Sequence, residues 1–176
     1  MKKEMLRAMR GRFLVWLVLL LLGAAAGFIM DWFWFRSWLF NPLWHVGALL
    51  VGVLLFSLLR RGARNTGRYL AQHGHAAGNS SFEPDRLVDS GPYSCMRHPM
   101  HFALLLAPPA LAFLLGSLSF LLICAPLEML LIVVLVKFIE EPGARQKFGD
   151  AYRDYQRRVP FFSLRRSCLA ALFRRS

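Results

Sequence analysis

The chain has 176 residues, is 56% hydrophobic and carries a formal net charge of +12. A sequence this short and apolar excludes a set of soluble domains and predicts one membrane-embedded, all-α unit spanning residues 1–176. Its basic residues gather at the edges of apolar runs. Lipid headgroups and membrane orientation account for them better than nucleic acid does.

Taken in order, apolar segments at about 13–35, 42–60, 100–115 and 118–138 predict a polytopic protein of about four transmembrane helices. About 20 residues at 1.5 Å each cross a bilayer core, so the third is short. Before the first segment lie Lys2, Lys3, Arg7, Arg10 and Arg12, and within it Ala24-Ala25-Ala26 resembles a signal-peptidase site. The apolar run continues through Gly27-Phe28-Ile29-Met30, which favours a retained helix. An aromatic run (Trp32, Phe33, Trp34, Phe35, Trp38) follows with only Arg36 among it, and suits an interfacial belt. After the second segment come Arg60, Arg61, Arg64 and Arg68. The positive-inside rule then puts both termini and a loop at 61–99 in the cytoplasm, with the bacterial inner membrane as the expected location. Within that loop, Gly74 to Ser81 reads as a linker.

Pro108-Pro109 interrupts the third segment, which is predicted to turn into the fourth through Gly116-Ser117. Glu128, two residues after Pro126, falls in mid-span. A carboxylate there needs a partner, for which His45 is a candidate, or stays protonated. At Glu140-Glu141-Pro142 the proline disfavours helix at Glu141, so the span is expected to kink or stop. Pro142 then opens an amphipathic helix over 142–158. Phe148, Tyr152, Tyr155 and Val159 form its apolar stripe, read as packing.

The polar segment Gly91-Pro92-Tyr93-Ser94-Cys95-Met96-Arg97-His98-Pro99-Met100-His101 runs straight into the third apolar segment. Pro99 places His98 at a cap and itself at the first helical position. Arg97 and His98 are then expected beside a helix N-terminus that favours an anion, either a ligand's or a lipid's phosphate. Cys95, Cys124 and Cys168 show no disulfide pattern and read as packing residues. His73 and His75 lack a nearby carboxylate or cysteine, so no metal site is expected.

The ordered set Leu87-Val88-Asp89-Ser90-Gly91-Pro92-Tyr93, Arg97-His98-Pro99-Met100, Glu140-Glu141, Phe148-Gly149-Asp150-Ala151-Tyr152-Arg153-Asp154-Tyr155 and Arg158-Val159-Pro160 resembles the isoprenylcysteine carboxyl methyltransferase-like family of small integral membrane methyltransferases. That resemblance covers about residues 85 to 162. It implies transfer of a methyl group from S-adenosylmethionine to a lipophilic or small acceptor (a carboxylate, a thiol or a phospholipid amine) at the cytoplasmic face. By position, it implies a cofactor pocket of Asp85, Arg86, Leu87, Val88, Tyr93, His98, Pro99, Met100, His101 and Glu140. Glu140 and Arg97 become the candidate catalytic pair. Independently of the resemblance, Glu128, by the cost of placing a carboxylate in mid-span, and Lys137 are candidate substrate contacts. The family usually has Tyr where this chain has His101, and its eukaryotic members carry an Arg where this chain has Val136. Membrane lipids are the expected partners. Two rival readings are a non-catalytic accessory protein on the same scaffold and a nicotinamide-dependent membrane reductase, against which stands the lack of a GxGxxG loop.

Overall fold

A computed structural model describes residues 2–75 and 84–174, with side chains from Leu14 onward. The side chains of the basic leader from Lys2 to Arg12, and residues 76–81 of the expected linker, lie outside that description. Among the described residues every regular element is helical. Leu14–Trp34, Pro42–His73 and Phe120–Arg158 are long and apolar enough to cross a membrane, and Pro99–Leu115 is a shorter apolar stretch. The protein is thus a polytopic all-α membrane protein. The chain forms two compact units, one of residues 1–54 and 108–131, the other of 55–107 and 132–176.

In the first unit, α1 (Lys2–Trp34) runs to the short α2 (Arg36–Leu39). Asn41 then starts α3 (Pro42–His73): its Oδ1 accepts the amides of Leu43 and Trp44 at 3.0 and 3.2 Å, with Pro42 at the first helical position. Farther on, α6 (Ala107–Leu115) tolerates Pro108 and Pro109 because first-turn amides have no helical partner. The turn after it depends on Gly116, at φ +68°, against which the His45 ring packs. A side chain there would meet both backbone strain and that ring. His45 Nε2–H donates to the Leu39 carbonyl at 2.7 Å, and Trp44 Nε1–H to the Gly116 carbonyl at 2.8 Å.

His45 is therefore engaged with Leu39, and the expected pairing with Glu128 is not made. Glu128 instead faces Gly23, both carboxyl oxygens buried without a hydrogen-bond partner. Leu20, Ala24, Ala112, Phe120 and Ala125 form the apolar core around these helices. Asp31, 1% exposed, accepts the Ser119 amide at 2.7 Å and so caps the start of the last long helix from another helix.

That last helix passes through two prolines without stopping. Each lies two residues beyond a π-helical turn: Phe120–Cys124 before Pro126, and Val136–Glu140 before Pro142. Proline removes one amide and crowds the carbonyl four residues back; a wider turn upstream relieves both. Between the turns runs α7 (Ala125–Leu135), and after them α8 (Glu141–Arg158). The expected break at Glu141 is accordingly absent: Glu140 and Glu141 keep helical angles of −72°/−45° and −65°/−44°. The interruption comes instead at Gly149 (φ 56°, ψ −131°), a conformation suited to glycine.

In the second unit, α3 stays helical to His73, so the expected loop at 61–99 begins thirteen residues late. Basic residues signalled a membrane edge, but nothing between Arg60 and His73 breaks a helix. Two short helices follow, α4 (Pro92–Cys95) and α5 (Pro99–Leu104), and the chain ends in α9 (Arg166–Phe173). Asn65 donates to the carbonyls of Leu172 and Arg174 at 3.0 and 2.8 Å, closing the end of α9. Contrary to expectation, Cys95 and Cys168 form a disulfide between α4 and α9, their Cα atoms 5.4 Å apart. A separation of 73 residues hides such a pair from any spacing rule. Cys124 is free.

Candidate functional site

The site lies wholly within the second unit. Pro92 opens α4 and turns Tyr93 inward, where it is buried. Tyr155, on α8, donates its hydroxyl proton to the Tyr93 carbonyl at 2.6 Å. The two elements are thereby tied at one point. Burial pushes the Tyr93 phenol up to about 12, so it stays neutral.

Arg97 makes a second tie. Its backbone N–H donates to the Pro160 carbonyl at 2.9 Å. Its guanidinium donates to Glu141 Oε1 at 2.8 Å and to the carbonyls of Val159 and Gln156 at 2.6 and 3.3 Å. The side chains of Arg97 and Glu141 are 12% and 6% exposed, so the pair is largely removed from water. His98 caps α5 with Pro99 at the first helical position, as the sequence predicts. Its side chain turns toward Glu141, with Nε2 3.2 Å from Oε1. Burial lowers the His98 imidazole to about 4; the hydrogen bond to Glu141 opposes that shift without cancelling it. The ring is therefore neutral at pH 7, and Nε2 carries the proton, since a carboxylate only accepts.

Arg97 and His98 were expected to face a helix N-terminus. They face Glu141 instead, and α5 is only six residues long, too short for a useful dipole. Glu140, the neighbouring carboxylate, lines a different space.

That space is a cavity of about 170 Å³. Of the residues predicted from the sequence, Arg86, Leu87, Val88 and Tyr93 form one part of its wall, and Arg97, His98, Met100, His101 and Glu140 another. The His98 and His101 rings meet edge-to-face, 5.9 Å apart. Asp85 and Pro99 do not line the cavity: the Asp85 amide donates to the Gly74 carbonyl at 2.8 Å, and Pro99 is buried in the first turn of α5. Lys137 is exposed on the π-helical turn, and Glu128 belongs to the first unit.

Six wall residues were missed. Leu70 was lost with the helical end of α3, and Pro84 and Ala144 carry no chemical signal. Phe148, Tyr152 and Tyr155 form a stripe whose spacing reads as packing alone. They do pack, in a cluster with Val159, Leu87 and Ala144, and they also face the cavity. The Tyr152 hydroxyl is buried there without a hydrogen bond of good geometry; the Arg97 guanidinium lies beside it, near enough to act as a charge and as a poorly aligned donor.

The cavity is aromatic-walled, with one carboxylate, two guanidiniums, imidazole rings and a hydroxyl, on a helical membrane scaffold; its chemistry suits a small polar or charged molecule. Comparison with known families narrows the class. The phospholipid methyltransferase family matches residues 46–151, about three-fifths of the chain, and the chain belongs to it. Members of this family transfer methyl groups from S-adenosylmethionine, and it is grouped with the isoprenylcysteine methyltransferase-like enzymes. No curated protein and no solved structure matches the chain. The matched region holds every cavity residue except Tyr152 and Tyr155.

Proposed function

We propose that the protein methylates a phospholipid amine, using S-adenosylmethionine held in the cavity of the second unit at the cytoplasmic face of the membrane. The observation that carries this reading is the wall chemistry of the cavity: within the family-matched region the Tyr93 ring, the Glu140 carboxylate, neutral His98 and the His101 ring, and one residue beyond it the Tyr152 hydroxyl. These groups fit a donor that bears a sulfonium, an ammonium, a carboxylate and hydroxyls. Tyr93 offers an aromatic face to the cation. Glu140 suits the ammonium or the ribose hydroxyls. Arg97 is fully engaged with Glu141 and two carbonyls, which leaves Arg86 as the wall guanidinium with no ion pair among the described residues.

When bound, the donor supplies an electrophilic methyl carbon. This chain's residues then have to hold donor and acceptor in line, exclude water and accept a proton. An ammonium headgroup must lose that proton before its nitrogen can attack. His101 and Glu140 are the wall groups suited to receive it. A thiolate or carboxylate acceptor would need no such group, so their presence favours the amine. At about 170 Å³ the cavity is below the roughly 300 Å³ at which ligand pockets usually begin, so a bound donor extends through its open side or parts its walls. In this reading residues 1–176 act as one membrane-embedded methyltransferase domain with both termini cytoplasmic.

Calorimetric titration of the detergent-solubilised protein with S-adenosylmethionine tests the proposal. We expect binding that is weakened at least tenfold in Glu140→Ala. Absence of heat and of any thermal shift at millimolar donor would refute it.

A further inference from the structure

Tyr152 is 4% exposed and faces the cavity, and its hydroxyl makes no hydrogen bond of good geometry: the Arg97 guanidinium stands beside it but is poorly aligned and can only donate, so the hydroxyl proton has no acceptor. Its neighbour Tyr155, one turn along and with its ring centre 5.8 Å away, is fully satisfied by the Tyr93 carbonyl. The contrast matters because a buried hydroxyl left unpaired is costly, and native interiors seldom keep one without a reason. A group that is unsatisfied in the empty cavity becomes satisfied when a ligand fills it.

The charges around the hydroxyl indicate which part of a ligand it meets. Glu141, Arg97 and Arg145 are the charged groups acting on it. Glu141 is held by Arg97 at 2.8 Å and by His98 at 3.2 Å, while Arg145 lies 3.9 Å from its other oxygen. By formal charge that corner holds two guanidiniums against one carboxylate, although Glu141 is the strongest single charge acting on the hydroxyl. A phenol there can donate to an anion, whereas a cationic group, having no acceptor, could only donate to the phenol oxygen that Arg97 already faces.

We infer that the Tyr152 hydroxyl is a binding residue that donates a hydrogen bond to the carboxylate of the methyl donor's amino-acid end. This inference rests on the cavity being the donor site. It assigns to Tyr152 a ligand role that packing alone does not require, and it has a signature with two opposite signs. Removing the hydroxyl relieves an unsatisfied group in the free protein but removes a contact in the complex.

The experiment compares the wild type, Tyr152→Phe and Tyr155→Phe by thermal unfolding without ligand and by calorimetric binding of S-adenosylmethionine and its decarboxylated analogue. We expect Tyr152→Phe to leave the unliganded midpoint unchanged or raised. It should weaken S-adenosylmethionine binding five- to fiftyfold and leave binding of the decarboxylated analogue within twofold of wild type. Tyr155→Phe should lower the unliganded midpoint. Equal weakening toward both ligands, unchanged affinity for S-adenosylmethionine, or a lowered midpoint in Tyr152→Phe would each overturn the assignment. A wild-type protein that binds neither ligand would refute the donor site itself, which is a different result from any of these.

Discussion

Replacing Arg97 with Met separates two roles for this residue more sharply than any other change. The side chain is 12% exposed and makes three hydrogen bonds, one to a carboxylate that is itself 6% exposed. Methionine keeps much of the volume and removes all three. Glu141 then retains His98, which is neutral, and Arg145, which is 3.9 Å away and half exposed. Stranding one member of a buried pair costs about 3–5 kcal/mol, and the carbonyls of Gln156 and Val159 lose their donor as well. For a chain of this length each kcal/mol moves the midpoint by about 2–4 °C, so a fall of roughly 6–20 °C is expected.

Arg97→Lys keeps a charge but not the fork, and should fall between wild type and Arg97→Met. The double variant Arg97→Met, Glu141→Leu removes the stranded charge and should recover part of the loss. Thermal unfolding in detergent, with and without S-adenosylmethionine, reads all of these. If Arg97→Met keeps its unliganded midpoint and instead loses affinity for the donor, Arg97 is an anion ligand and the reasoning from its hydrogen bonds fails.

Three further outcomes follow from the geometry. His98 falls from 6.5 to about 4 on folding, so the unfolded chain takes up its proton first as pH drops. Stability should be full above pH 6.5 and decline toward pH 4 by up to about 3 kcal/mol; a His98→Gln protein with the same acid profile would contradict this. Reducing the Cys95–Cys168 disulfide reopens a loop of 73 residues and should lower stability by up to about 4 kcal/mol, a loss that Cys95→Ser reproduces and that reductant does not deepen. Gly23→Ala drives a methyl group into the Glu128 carboxyl and to 3.3 Å from the Phe120 ring; the flexible end of Glu128 can turn away, so the cost is about 1 kcal/mol, the low end for overpacking. Glu128→Ala in the same chain should restore the midpoint, and a harmless Gly23→Ala would show that the two helices do not meet there.

Much of this was readable from residue order. Hydropathy gave the spans, and proline chemistry gave His98 and Pro99 their places at the start of α5. Nine residues that the motifs pointed to do meet around one cavity. The failures share one cause: local rules cannot see what a distant element supplies. Pro142 disfavours a regular helix at Glu141, yet a π-helical turn upstream absorbs the conflict. Arg97 has the chemistry of an anion site, yet a carboxylate 44 residues away and two carbonyls beyond it use up that chemistry. The Phe148–Tyr152–Tyr155 stripe has the period of a packing face, and periodicity cannot tell that one hydroxyl on it lacks a partner. Asp31, capping a helix 88 residues ahead, gave no sequence signal at all.

Photolabelling tests the central claim, that the methyl donor sits in the cavity of the second unit, most directly. Ultraviolet irradiation of the protein with methyl-tritiated S-adenosylmethionine, followed by proteolysis and mass mapping, should put the label on residues 84–101 and 140–155, and excess unlabelled donor should remove it. Saturable label confined to residues 14–34 or 108–131 would place the donor in the first unit and contradict the account.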